Sequence, residues 1–205
     1  MHPALIWLFR PFERLSGRQA LLVGVLLLLV VAALADQTGL ETDAILSLHF
    51  VDDIGLGTLV AQGIVNWLVM VACLFLAARL LEVRPLNIAD FLGSQALARW
   101  PLLLSVLYLS FPPVNERMRQ LTADLLAVMP SQPGQVMADA AYMADAFILT
   151  AYGLPVLFTL IWMTWLMLQG FGTATGLKGP QAVFPFTASL LVAQLLSLGL
   201  NTLIG

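Results

Sequence analysis

Apolar residues fall into long runs separated by short polar stretches. Ala20 to Ala35 is sixteen residues without a charge, and Thr58 to Ala78, Phe147 to Leu168 and Val183 to Ile204 are runs of the same kind. About 20 apolar residues in a helix cover a hydrocarbon core roughly 30 Å thick. A fifth run, "FLGSQALARWPLLLSVLYLSF" from Phe91 to Phe111, is less plain: Arg99 lies inside it, Pro101 follows, and Pro112-Pro113 end it. The pattern predicts an all-α fold, a polytopic integral membrane helical bundle with five spans near residues 20–35, 58–78, 91–111, 147–168 and 183–204, in one domain over residues 1–205. No small-residue cleavage site follows the first run, so it reads as a span and not as a cleavable signal peptide.

Two intervening segments carry helical stripes of their own. Leu5, Leu8, Phe9, Phe12 and Leu15 mark one face, with Arg10, Arg14 and Arg18 on another, as in a basic helix lying on an anionic leaflet or flanking the first span. Pro11 interrupts it. Val114, Met118, Leu121, Leu125, Val128 and Met129 form a second stripe opposite Glu116, Arg117, Gln120 and Asp124, which suits an interfacial helix, a lid, or a helix packed on neighbouring loops. "SQPG" at Ser131 to Gly134 ends it.

Composition narrows the class further. Of 205 residues, 60% are hydrophobic and 10% charged, with a mean hydropathy of +0.92, against about 25% charged in soluble domains. A net charge of −3 argues against nucleic acid as a partner, and the lipid bilayer is the expected one. Cys73 is the only cysteine, which leaves no intrachain disulfide or cysteine metal cluster.

Charge then orients the chain. With the N-terminus inside and the C-terminus outside, seven Lys and Arg (Arg10, Arg14, Arg18, Arg79, Arg84, Arg99, Lys178) fall on the cytoplasmic side and two (Arg117, Arg119) outside, as the positive-inside rule requires. Nine of the twelve acids fall outside: Asp36, Glu41, Asp43, Asp52, Asp53, Glu116, Asp124, Asp139 and Asp145. In this threading Arg99 stands about 12 Å up a helix that starts at Phe91. It is then either an anchor snorkelling to the cytoplasmic headgroups, with Glu82 and Asp90 as candidate partners, or a buried arginine at a functional site. Pro101 is placed to kink the helix above it.

Within the runs the polar residues are neutral: Gln62, Asn66, Tyr108, Tyr152, Gln194 and Asn201. No run has a central Asp, Glu or Lys, which proton-coupled transporters usually carry. Ser189, Ala193, Ser197 and Asn201 recur every four residues and mark a face for close helix packing. Gly153, Pro155 and Pro185 predict bends. Candidate functional or packing residues are therefore Arg99, Pro101, Tyr108, Tyr152, Gln194 and Asn201. His49 with Asp52 and Asp53 lacks a defined metal-ligand spacing. No nucleotide-binding glycine loop, HExxH or catalytic-triad motif is present; "GFGTATG" (Gly170 to Gly176) reads as a turn between spans. No catalytic, cofactor or metal residue is assigned.

Three stretches resemble the Yip1-domain family of five-span membrane proteins. They are "DAILSLHF" (Asp43 to Phe50), "ALARWPLLLSVL" (Ala96 to Leu107) and "GTATGLKGPQAVFPFTASLL" (Gly172 to Leu191). The likeness runs along nearly the whole chain, though the long cytoplasmic N-terminal region of eukaryotic members has no counterpart here. The resemblance implies a trafficking-like role through small GTPases and membrane curvature, as in eukaryotic members. Association with an efflux-type ABC transporter in a bacterial inner membrane is the role of some bacterial ones. The expected function is a non-enzymatic scaffold or accessory subunit of a membrane machine, alone or as a homo-oligomer. The alternative is a small transporter or channel with a cavity between bent helices.

Overall fold

Four of the apolar runs are helices in the computed structural model, which describes residues 8–15, 17–51, 54–83, 86–128 and 140–204. Helix α1 is Gly17–Thr38. A two-residue antiparallel pair follows, β1 (Leu40–Glu41) with β2 (His49–Phe50), in the register Leu40 to Phe50 and Glu41 to His49. Helix α2 is Leu56–Leu80, α3 Ile88–Leu97, α4 Trp100–Leu109, α5 Pro112–Val128, α6 Ala140–Thr175 and α7 Pro180–Asn201. Among the described residues, α1, α2, α6 and α7 are each long and apolar enough to cross a membrane. The arm Ile88–Leu109 joins them only together with α5, from which it turns by 87°.

The fifth run differs from the expected single helix. Pro101, second residue of α4, has no N–H to give the Leu97 carbonyl, and its ring crowds that turn. The helix stops at Leu97 and restarts at Trp100, with the backbone held by Ala98 N–H to Ser94 O (2.9 Å), Arg99 N–H to Ala96 O (3.3 Å) and Leu102 N–H to Arg99 O (3.0 Å). Pro155 and Pro185 each lie inside one continuous helix.

Small residues let α1 cross α3 closely. Ala20 and Gly24, one turn apart, meet Gly93 and Ala96. A Cβ on Gly24 would overlap the Ala96 side chain and lie 2.6 Å from its backbone carbon, and one on Gly93 would lie 3.0 Å from the Leu21 nitrogen. On α3's other side, Gln95 is fully buried and donates to the Met167 carbonyl of α6 (3.0 Å). Aromatic rings fill the core beside it, with Phe91 edge-on to Phe75 (5.6 Å) and to Phe171 (6.3 Å).

The α7 stripe packs inward as expected. Ser189, Ala193, Ser197 and Asn201 are all buried, and Ser189 donates to the Cys73 carbonyl of α2 (3.4 Å). On the opposite face Phe184, Leu191 and Leu195 are 75%, 63% and 71% exposed. With Leu22, Phe147, Phe158 and Ile161 they form apolar surface far beyond what a water-soluble monomer exposes. Ala193→Leu is therefore expected to lower the thermal unfolding midpoint in detergent by several degrees, and Leu195→Ala to change it little. Equal effects would remove the stripe from the interface.

The two remaining stripes are resolved differently. Phe9 stacks on Trp162 (5.1 Å between centroids) and Phe12 packs on the core, so the N-terminal segment tucks against the bundle. Pro11 opens a 3-10 turn (Pro11–Glu13) in place of a continuous amphipathic helix. Arg10, Arg14 and Arg18 are exposed, and Leu5 lies outside the described residues. In α5, Val114 and Leu121 are buried and Met118 packs on the same cluster, while Glu116, Gln120 and Asp124 are exposed. This helix docks on the bundle through its apolar face. The surroundings of Val128 and Met129 lie outside the described residues.

Candidate functional site

The segment from β1 to β2 carries two of the acids assigned to the outside, Glu41 and Asp43. It folds down into one end of the bundle. Leu40, Ala44 and Ile45 are 0%, 1% and 4% exposed. Buried irregular backbone must find hydrogen-bond partners, and here neutral amides from two helices supply them. On α2, Gln62 and Asn66 lie one turn apart. Gln62 donates to the Glu41 carboxylate (2.5 Å) and Asn66 to the Thr42 carbonyl (2.7 Å). On α7, Gln194 and Asn201 lie two turns apart on one face. Gln194 accepts from the Leu46 N–H (3.0 Å), and Asn201 donates to the Asp43 carbonyl (2.6 Å) and to Asn66 Oδ1 (2.8 Å). Four side chains thus pin the stretch from Glu41 to His49, a seven-residue excursion (42–48) and its paired ends. Each such bond contributes about 0.5–1.5 kcal/mol, and leaving one of these groups buried and unpaired costs about 1–3 kcal/mol.

Arg119 fastens the same segment from α5. Its guanidinium donates to the carbonyls of Thr38 (2.9 Å) and Gly39 (3.1 Å), which end α1, and to Asn115 Oδ1 (3.0 Å), and it lies 4.8 Å from the Phe50 ring centre. Gly39 has φ +60°, the left-handed turn that closes a helix, and the Arg119 side chain occupies the space a Cβ would need. His49 stays at the rim, 3.4 Å from Glu41 and 3.7 Å from Asp43. Asp52 and Asp53 lie outside the described residues.

Beneath the loop lies a cavity of about 30 Å³, lined by Leu27, Leu28, Leu59, Gly63, Thr42 and Arg99 among others. Arg99 lines it from the break between α3 and α4. It is 9% exposed, and neither Nε nor Nη2 has a hydrogen-bond partner. Neither Glu82 nor Asp90 pairs with it among the described residues. The helix begins at Ile88, three residues before the expected Phe91, and Arg99 lines the cavity together with residues of α1 and α2. An unpaired arginine at the centre of a bilayer costs about 2.5–3.5 kcal/mol on insertion scales, which makes it a functional-site candidate by default.

The other named residues divide between roles. Tyr108 donates its hydroxyl to the Tyr152 carbonyl (3.2 Å), tying α4 to α6. Ser105 and Thr159 share a buried hydroxyl contact one turn nearer Arg99. Gln194 and Asn201 belong to the loop clamp and Pro101 makes the break. Gln62 and Asn66 were noted in the sequence only as neutral polar residues and prove to be half of the clamp. Gln95 and Arg119 had no assigned role. Compared with models of known protein families, with curated proteins and with solved structures, the chain has no match in any of the three.

Proposed function

We propose that this protein is a five-span integral membrane protein, N-terminus cytoplasmic and C-terminus outside, that acts without enzymatic chemistry as a scaffold or accessory subunit of a membrane machine. The observation that carries the reading is the loop clamp. Four amides and Arg119 close one end of the bundle over a cavity of about 30 Å³, too small for a passage. The broad apolar surfaces of α1, α6 and α7 suit contact with lipid and with other membrane proteins or a second copy. The orientation rests on the distribution of Lys and Arg, and exposed Arg10, Arg14 and Arg18 at the start of α1 fit it. The Yip1-like reading, with an efflux ABC transporter in a bacterial inner membrane as partner, rests on the three quoted stretches. These coincide with the clamped loop, the arm broken at Arg99, and the turn between α6 and α7.

A small transporter or channel is the second reading, favoured by one observation, the buried Arg99 beside a broken helix. Two measurements separate the readings. A reporter fused after Ile204 should give an extracytoplasmic signal, and crosslinking in native membranes followed by mild-detergent purification should recover a membrane-protein partner. A cytoplasmic signal would overturn the threading. Recovery of the lone protein together with solute flux in proteoliposomes would replace the scaffold reading with the transporter one.

A further inference from the structure

We propose that the groove between the N-terminal segment and the end of α6 binds one anionic phospholipid, with its phosphate between Arg10 and Lys178 and one acyl chain lying along α6. The two cations line a groove of about 470 Å³ together with Phe12, Gln169 and Thr173, and no acid lines it among the described residues. That volume falls within the roughly 300–1,000 Å³ of small-molecule sites. Arg10 and Lys178 are both exposed, so a ligand can reach them. Each is held in place by its neighbours. Phe9 stacks on Trp162 and meets Trp165 edge-on (6.1 Å between centroids), which holds the adjacent Arg10 beside α6. Lys178 stands in the turn to α7, between Gly176 (φ +75°) and Gly179 (φ +56°). Gly176 N–H to Gly172 O (2.8 Å) closes that turn, and Leu177 packs on the core. Two cations fixed from separate segments favour a phosphate, and basic pockets at the cytoplasmic ends of spans are where anionic headgroups bind.

The neighbouring surface selects a phospholipid over a free phosphate. A second groove, of about 480 Å³, runs along α6 from Leu157 to Leu168 and is walled by Phe186 of α7. Ile161 within it is 61% exposed. Leu168 and Gly172 lie one turn apart on one helix face, so the apolar groove ends where the basic one begins. From Leu157 to Leu168 the helix rises about 16 Å, half of a hydrocarbon core roughly 30 Å thick. A site that is basic at one end and apolar for the depth of one leaflet has the profile of a single phospholipid. A free phosphate would leave the apolar part empty. The adjoining cavity, which shares Phe12 and Thr173, carries Asp90. That charge disfavours a second anionic group, so the lipid has one phosphate, as in phosphatidylglycerol. Assignment to the cytoplasmic leaflet rests on the threading proposed above; the site itself does not.

The test is native mass spectrometry of the full-length protein, delipidated in mild detergent and titrated with dioleoylphosphatidylglycerol or, in parallel, dioleoylphosphatidylcholine. The wild type should bind one phosphatidylglycerol about tenfold more tightly than phosphatidylcholine, or better. Arg10→Gln combined with Lys178→Gln should bring phosphatidylglycerol down to the level of phosphatidylcholine. Arg14→Gln combined with Arg18→Gln removes the same charge from exposed side chains outside the groove and should leave the preference intact. Excess inorganic phosphate should not displace the lipid. The proposal fails if the wild type binds both lipids alike, or if the preference survives the first pair of substitutions. It fails if the second pair lowers the preference as much as the first, because the basic residues would then act as a diffuse surface. Displacement by phosphate would also overturn it, leaving a free-anion site. Should the Arg10/Lys178 double variant not fold, Lys178→Gln alone should weaken phosphatidylglycerol about threefold or more, and unchanged binding would overturn the proposal.

Discussion

Gly24→Leu is expected to deprive α1 of its seat on α3 and to leave little folded protein in the membrane. At Gly24 the opposing surface is backbone: even an alanine Cβ would overlap the Ala96 side chain and lie 2.6 Å from the Ala96 carbonyl carbon and 2.7 Å from the Leu97 nitrogen. Overpacking a core ordinarily costs about 1–3 kcal/mol because side chains shift to make room. Backbone of a neighbouring helix shifts only if the two helices separate, so the cost here lies at or above the upper end of that range. For a chain of this size that corresponds to a loss of roughly 6–12 °C in the midpoint. Separation would also carry α3, and with it Arg99, away from the middle of α1. Gly199→Ala is the matched control, because no heavy atom lies within 4 Å of the added Cβ; it should leave the midpoint unchanged or raise it slightly. A Gly24→Leu protein that purifies with the wild-type midpoint would refute the close crossing.

Asn201→Leu is expected to be the most damaging change within the clamp. The side chains are similar in size, so the effect is polar. The substitution removes the donor to the Asp43 carbonyl and to Asn66 Oδ1, and leaves both acceptors buried. Orphaning a buried polar group costs about 1–3 kcal/mol, so the sum is roughly 2–6 kcal/mol. Asn66→Leu should cost less, since the Thr42 carbonyl loses one donor while Asn201 keeps Asp43. The double variant should be more stable than the sum of the singles predicts, by about 1 kcal/mol, because the Asn66–Asn201 bond is lost only once. Strict additivity in chemical or thermal unfolding would mean that the two amides do not touch.

Much of the fold was legible because apolar runs of span length have few alternatives in a chain this poor in charge. The expected runs 20–35, 58–78 and 183–204 lie within about three residues of helices Gly17–Thr38, Leu56–Leu80 and Pro180–Asn201. The fourth, 147–168, is the middle of a longer helix, Ala140–Thr175. The start of the broken arm was harder. Hydropathy placed it at Phe91 and could not reveal that Asn87, whose side chain accepts from the Ala89 N–H (3.0 Å), caps a helix that starts at Ile88. The close crossing was readable in principle, from Ala20 and Gly24 four residues apart facing Gly93.

The loop clamp escaped for a different reason. Residues 40–48 have neither helical nor strand periodicity, and their acids suggested solvent. The available signal lay elsewhere, in Gln62, Asn66, Gln194 and Asn201. Four amides inside apolar helices need partners, and an irregular segment rich in unpaired backbone is a natural one. No single-residue rule connects the two; the pairing is a tertiary fact.

The most direct test of the clamped loop is its accessibility in intact membranes. In a Cys73→Ala background, Ile45→Cys and His49→Cys would be exposed in turn to a membrane-impermeant maleimide. The Ile45 side is 4% exposed and the His49 side chain 43%. The account predicts rapid labelling at residue 49, labelling at least tenfold slower at residue 45, and a gain at residue 45 alone when Asn201→Leu is added. Equal rates at the two positions in the otherwise unchanged protein would contradict it, because a loop that labels freely along its length is not clamped over Arg99.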